Sequence, residues 1–175
     1  MKNIIFVRHA KSSWDNPQLA DRDRPLKKRG LSDAEKMAEH LLSVKKIAYQ
    51  QILSSPANRA LQTAEIFNET LNGELKPTLR SELYFEGPSV ILQTIRMFAK
   101  EETDTLILFG HNPDIASLVS DLTDDFISHY PTCGVAMVKL DIYSWQEIRW
   151  GAGKLDWFIY PKMMPWHSEK QVGKN

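Results

Sequence analysis

Ile4-Ile5-Phe6-Val7-Arg8-His9-Ala10 is the stretch that decides how this chain folds. Four strongly apolar residues, bounded by polar ones, read as a short strand covered on both faces, as in a parallel sheet. Arg8 and His9 follow at once and so stand at its carboxyl end. An ordinary strand terminus meeting water explains such a pair as well as a site does. The chemistry is suggestive all the same, since a guanidinium forks onto phosphate oxygens and an imidazole can attack phosphorus.

Outward from that stretch the pattern repeats. Ile52-Leu53 and Leu106 to Phe109 are short apolar runs of the same kind, and helical periods lie between them. Leu31, Ala34, Met37, Ala38, Leu41 and Leu42 make one helix face; Ala60, Ala64, Phe67 and Leu71 make a second. Val90 to Ala99 is a third helix, and Ile115, Leu118, Val119 and Leu122 mark a fourth. Ser32-Asp33-Ala34-Glu35 offers a capping box for the first, although the turn Leu26 to Gly30 is an alternative start. This order predicts an α/β fold with three layers, a mainly parallel central sheet and right-handed crossovers. Gly134 to Ile142 is read as a further strand. Leu155 to Tyr160 is read as the last, antiparallel at an edge.

The chain has 175 residues, which suits one domain by the rule of about 150 residues per domain. We expect residues 1–162 to form it, with 163–175 a loose tail whose Met163, Met164 and Trp166 dock on the body. Lys and Arg number 22 and Asp and Glu 22, so bulk charge argues for neither nucleic acid nor membrane. Cys133 is the single cysteine, which excludes an internal disulfide and suits a reducing compartment. The apolar run before Arg8 is too short for a signal peptide, and no stretch spans a bilayer. A soluble cytoplasmic protein is expected. Its oligomeric state is left open, since nothing demands more than a monomer.

In an open parallel sheet, ligands gather beyond the carboxyl ends of the strands. The second such end reads Ser54-Ser55-Pro56-Ala57-Asn58-Arg59, with Ser55 suited to an N-cap and Pro56 to the first helical position. Arg59 then falls at the end of the first helical turn. A cation there opposes the helix dipole by about 0.3–1 kcal/mol and needs an anionic partner, a neighbouring carboxylate or a ligand. The third end reads Gly110-His111-Asn112-Pro113, where Asn112 can cap, Pro113 can start a helix and Gly110 lets the backbone turn closely. Two arginines and two histidines would thus converge on one rim. That set is cationic, carries a nucleophile and fits a phosphoryl group.

Arg8-His9-Ala10, followed by Asp23-Arg24-Pro25-Leu26 and Arg29-Gly30, resembles the histidine phosphatase superfamily, and within it the SixA branch of phosphohistidine phosphatases. Ser54-Ser55-Pro56, Arg59-Ala60, Gln62-Thr63-Ala64 and Gly110-His111-Asn112-Pro113 are similar to its later signatures. Pro131-Thr132, Trp145 and Pro161-Lys162 extend the likeness to about residue 162. The resemblance implies a phosphoglycerate-mutase-like fold and a phosphatase that needs no metal or cofactor. It further implies that His9 attacks phosphorus, becomes phosphorylated and is discharged by water, while Arg8, Arg59 and His111 hold the phosphoryl oxygens. Such a nucleophile needs one bare nitrogen, so its other nitrogen should donate to a backbone carbonyl. Lys11, Ser12 and Ser13 follow His9 and are further candidates to touch phosphate or substrate.

Larger members of the superfamily use a carboxylate between the second and third signatures as general acid. Glu82 is the nearest match by position, and a solvent-facing carboxylate at a strand edge is its plainer reading. An imidazole leaving group has a conjugate acid near pKa 6.5 and can leave protonated, whereas an alkoxide needs a strong acid. Doubt over the acid therefore favours a P–N substrate. The short chain leaves little room for a cap, and an open site suits a phosphorylated protein, for instance a histidine phosphotransfer domain.

Other chemistries fit less well. His9, His40, His111, His129 and His167 show no paired ligand spacing, so no metal is expected. His40 reads as a surface residue. Lys139 stands where a cysteine phosphatase built on Cys133 would need arginine, so Cys133 reads as a small turn residue. No glycine-rich loop follows the first strand. Asp121, Asp124 and Asp125 read as a solvated helix end. A phosphatase of small phosphate esters, a mutase-like phosphoryl transferase and a phosphopeptide-binding module without turnover remain alternatives.

Overall fold

Along β1 (Lys2–Arg8), alternation sends Ile4 and Phe6 to one face and Ile5 and Val7 to the other. All four side chains are fully buried, so both faces are covered. The computed structural model describes residues 1–71 and 73–167. In it β1 leads to α1 (Lys28–His40), β2 (Gln51–Ser54), α2 (Asn58–Leu71), β3 (Thr78–Leu79), α3 (Pro88–Phe98), β4 (Thr105–Gly110), α4 (Asp114–Thr123), β5 (Val135–Leu140) and β6 (Gly153–Ile159). The sheet order is β3-β2-β4-β1-β5-β6. Pairings up to β1 are parallel, and β5 is antiparallel to both of its neighbours.

Two cores flank this sheet. Ile5, Val7, Ile52, Ile107 and Phe109 pack under α1 and α2, with Met37, Ala38 and Phe67 facing them. Ile4, Phe6, Leu53, Leu106 and Leu108 pack under α3 and α4, with Ile91, Ile95, Leu118 and Leu122 opposite. The fold is α/β with the three layers expected.

Several details differ from the expectation. The two-residue β3 is too short to leave a periodic signal. β6 lies at the edge and pairs antiparallel, yet the strand that reverses the sheet's direction is β5. The first helix starts at Lys28, so the alternative start is nearer and Ser32 lies inside the helix. α1 lies against the loop after β1 because residue 30 is glycine: a Cβ there would stand 2.2 Å from the Lys11 carbonyl oxygen. The core also continues past Pro161. Met164 is 5% exposed in the α1 core, and Trp166 packs beside it with its ring edge-on to His40. His40 is therefore half-buried, not a plain surface residue, while Met163 is exposed. Residues 168–175 of the expected tail lie outside the described residues.

Candidate active site

Register places three strand ends side by side: Arg8 pairs with Gly110, and Ser54 with Phe109. The ladder continues one residue further, with His9 N–H donating to Gly110 O (3.1 Å) and Ser55 N–H to Phe109 O (2.9 Å). Because β5 runs the other way, the loop before it also reaches this rim. Its Gly134 carbonyl accepts from Arg8 N–H, and Cys133 N–H donates to the Arg8 and His9 carbonyls. Cys133 takes a left-handed turn (φ 58°), and burial pushes its thiol well up, so it serves as a small turn residue.

The two histidines meet, with ring centroids 5.1 Å apart. His9 Nδ1 donates to the Ala10 carbonyl at 2.7 Å, since a carbonyl can only accept. That bond fixes the tautomer and leaves Nε2 bare, as the chemistry required. Arg59 Nε donates to this nitrogen at 3.3 Å. His111 is 1% exposed; its Nε2 bonds to Ser55 Oγ at 2.8 Å. His111 Nδ1 and Arg8 Nε are buried without a hydrogen-bond partner. Buried polar atoms are seldom left so, and an anion would satisfy both.

Arg8 is aimed by the Tyr130 carbonyl, which accepts from its Nη1 at 2.7 Å. Arg59 is the second residue of α2, because the helix begins at Asn58 and not at Pro56. Ser55 Oγ accepts from Ala57 N–H at 3.3 Å, as a capping hydroxyl would, and also bonds to His111, while the regular helix starts three residues on. Asn112 likewise turns its amide to the Tyr130 carbonyl, and α4 begins at Asp114. Gly110 has no unusual turn to make. Its bareness admits Ile115, whose Cδ1 would lie 3.2 Å from a Cβ there.

The anionic partner Arg59 needs is Asp21, whose carboxylate accepts from Nη2 at 2.8 Å and whose carbonyl accepts from Nη1 at 2.5 Å. Arg24 Nη1 and Tyr84 Oη donate to the same carboxylate, each at 2.7 Å. Partial burial raises the Asp21 carboxyl, but the bonds from Tyr84, Arg59 and Arg24 hold it well below the usual range. Asp21 and Tyr84 were not anticipated. The single local signal is the charge alternation Asp21-Arg22-Asp23-Arg24, which does not say where the loop lands.

Other candidates stand elsewhere. Glu82 sits in a 3-10 turn (Ser81–Leu83), and its carboxylate bonds only to Ser81 Oγ (3.3 Å) among the described residues. Ser12 Oγ accepts from Arg24 Nη2, and the Ser13 carbonyl accepts from Arg24 Nε. Ser13 Oγ accepts from Asp15 N–H, and the Lys11 side chain is exposed. Ser12 and Ser13 position Arg24; among the described residues none of these four is bonded to the histidines. Nor is the site as open as a short chain suggested, since Arg59 is 3% exposed beneath the loop that carries Asp21. Gln62 and Thr63 act on the backbone: Gln62 Oε1 accepts from Leu26 N–H, and Thr63 Oγ1 accepts from Ala10 N–H.

Burial, with the charges of Arg59, Arg8 and Arg24, pushes His9 down to about 3. Burial, then His9 and Arg59, does the same to His111. Both rings stay neutral in the folded protein at pH 5 to 8, whereas unfolded histidine titrates near 6.5. Stability is therefore full above pH 6.5 and lost as pH falls towards 3. Each ring costs up to about 1.4 kcal/mol per pH unit. Urea unfolding between pH 7 and 4.5 should show this slope, and a His9→Asn/His111→Asn double variant should flatten it. An equal slope in the double variant would assign the acid sensitivity elsewhere.

A model of the histidine phosphatase superfamily (branch 1) matches residues 4–84. An uncharacterized chloroplastic protein of Arabidopsis thaliana is 31% identical over 154 residues, covering 83% of this chain and 70% of that protein. An uncharacterized protein of Mycobacterium tuberculosis is 30% identical over 167 residues, covering 89% of this chain and 100% of that protein. The chain belongs to branch 1 of the histidine phosphatase superfamily. The solved structure of the protein histidine phosphatase SixA complexed with tungstate superposes on it with a TM-score of 0.78 at 24% identity, over 91% of this chain and 97% of that one. The backbone shared with SixA is thus nearly the whole described chain.

Proposed function

We propose that the protein is a phosphohistidine phosphatase that works through a phosphorylated His9. The observation that carries this reading is the bare Nε2 of His9, held by the Nδ1 bond to Ala10 and faced by Arg59. Nε2 attacks phosphorus and a P–Nε2 bond forms. The bond from phosphorus to the leaving nitrogen breaks with its electron pair kept on that nitrogen. A substrate imidazole already protonated by solvent at its other nitrogen departs as the neutral ring. Water then attacks the phosphoryl group, the P–Nε2 bond breaks, and inorganic phosphate leaves with a proton released to solvent. Arg59, Arg8 Nε and His111 Nδ1 are the donors for the non-bridging oxygens, at about 1.5–3 kcal/mol for each charge-assisted bond.

The substrate class follows from the missing acid. Asp21 is held ionised by two arginines and Tyr84, and Glu82 bonds among the described residues only to its neighbour, so neither supplies the proton an alkoxide would need. A weakly basic imidazole needs none. The donor of the phosphoryl group is then a phosphorylated histidine on another protein. With a phosphohistidine-bearing phosphotransfer domain and small phosphate esters as competing substrates, kcat/KM should favour the phosphoprotein at least a hundredfold. Equal values would make the protein an ester phosphatase, and phosphoryl transfer between phosphoglycerate isomers outpacing phosphate release would make it a mutase.

A further inference from the structure

Four non-glycine residues among those described adopt left-handed backbone: Lys46, Phe85, Asp124 and Cys133. Lys46 and Asp124 close helical segments, and Cys133 is a small turn residue. Phe85 (φ 59°) has no such reason. The turn before it already ends on the Tyr84 N–H bond to Ser81. A bulky residue in this region is strained and persists only where its surroundings demand it. What the conformation achieves is a placement. The Phe85 ring lies over His111 with centroids 4.6 Å apart and planes 31° from parallel, and packs edge-on to Tyr84 at 4.9 Å. Yet 47% of Phe85 stays exposed, beside a fully buried histidine and a cationic cluster.

In-line attack by His9 Nε2 sends the leaving group out on the opposite side of phosphorus, towards the mouth. A ring departing there would meet an aromatic neighbour. Trp14 is also exposed, but it lies on the Arg24 guanidinium at 3.2 Å, whereas Phe85 lies on His111, whose ring is 5.1 Å from that of His9. Phe85 has its exposed part free. As the P–N bond breaks, its electron pair stays on the departing nitrogen, and the planar imidazole so released presents a face on which an exposed phenyl ring can stack. We infer that Phe85 is a specificity-determining residue whose exposed ring stacks on a planar leaving group, an imidazole in the phosphohistidine reading on which this inference rests.

Two P–N substrates separate the ring from the bond: N-phosphoimidazole has a planar leaving group and phosphoramidate has none. In Phe85→Ala and Phe85→Leu the ratio of kcat/KM for the first over the second should fall about 3- to 10-fold, while Phe85→Tyr keeps it. A melting curve for each variant establishes that it folds, and leucine preserves most of the apolar bulk. An unchanged ratio overturns the inference, including a uniform loss on both substrates, which would mean that Phe85 merely seats His111. A loss confined to KM for the phosphoprotein would make Phe85 a docking residue and overturn it too. Should the wild type cleave esters but no P–N compound, the phosphohistidine reading fails by itself. The ratio for phenyl over ethyl phosphate in the same variants then decides the stacking.

Discussion

Alanine at position 9 stops phosphate release, with turnover lower by on the order of 10⁴ or more, as when a covalent nucleophile is deleted elsewhere. His9 is 8% exposed and its ring makes one bond to the Ala10 carbonyl and one to Arg59, so His9→Ala removes the nucleophile and leaves the donors in place. Inorganic phosphate should therefore still bind within a few-fold of wild type. Mixing the wild type with labelled substrate and quenching in alkali, where phosphohistidine survives, should trap label on the protein; the variant should trap none. Free imidazole, entering the space left by the side chain, should restore part of the turnover with phosphoryl transfer to imidazole. Turnover in His9→Ala within a hundredfold of wild type would remove the covalent mechanism.

Arg59→Ala should lower kcat/KM by about 10²–10³, the effect of deleting a donor that stabilises developing charge. Arg59→Lys should recover little of it. One guanidinium here reaches His9 Nε2 with Nε while its two outer nitrogens hold Asp21, and a single ammonium cannot span both. Lysine restoring activity to within threefold would mean that charge alone matters and the fork does not. The fold should survive either change, because the Asp21 side chain is 46% exposed and water can take over its bonds. Melting temperatures of both variants within a few degrees of wild type would bear this out.

The residues that chemistry singles out were readable because type and position coincided. Arg8, His9, Arg59 and His111 each follow a short apolar run, and parallel strands in register carry such positions to one rim. Glu82 was chosen by order along the chain alone, and order does not place a carboxylate: its 3-10 turn keeps it on Ser81. The helix starts were misplaced for a related reason. Ser55 shares its hydroxyl between Ala57 N–H and His111, and Asn112, which has the side chain of an N-cap, gives its amide to the Tyr130 carbonyl. A cap is worth about 1 kcal/mol, so a better partner across the fold prevails.

Hydrophobic period and residue order along the chain sufficed for the layered α/β architecture and for the four side chains of the cationic rim, since burial patterns and strand ends are local properties. Contacts between distant segments needed the folded chain. Asp21 on Arg59, Arg24 between Ser12 and Asp21, and Phe85 over His111 join loops whose paths no periodicity encodes. Loop backbone goes where its hydrogen bonds are satisfied, and those partners lie on other elements.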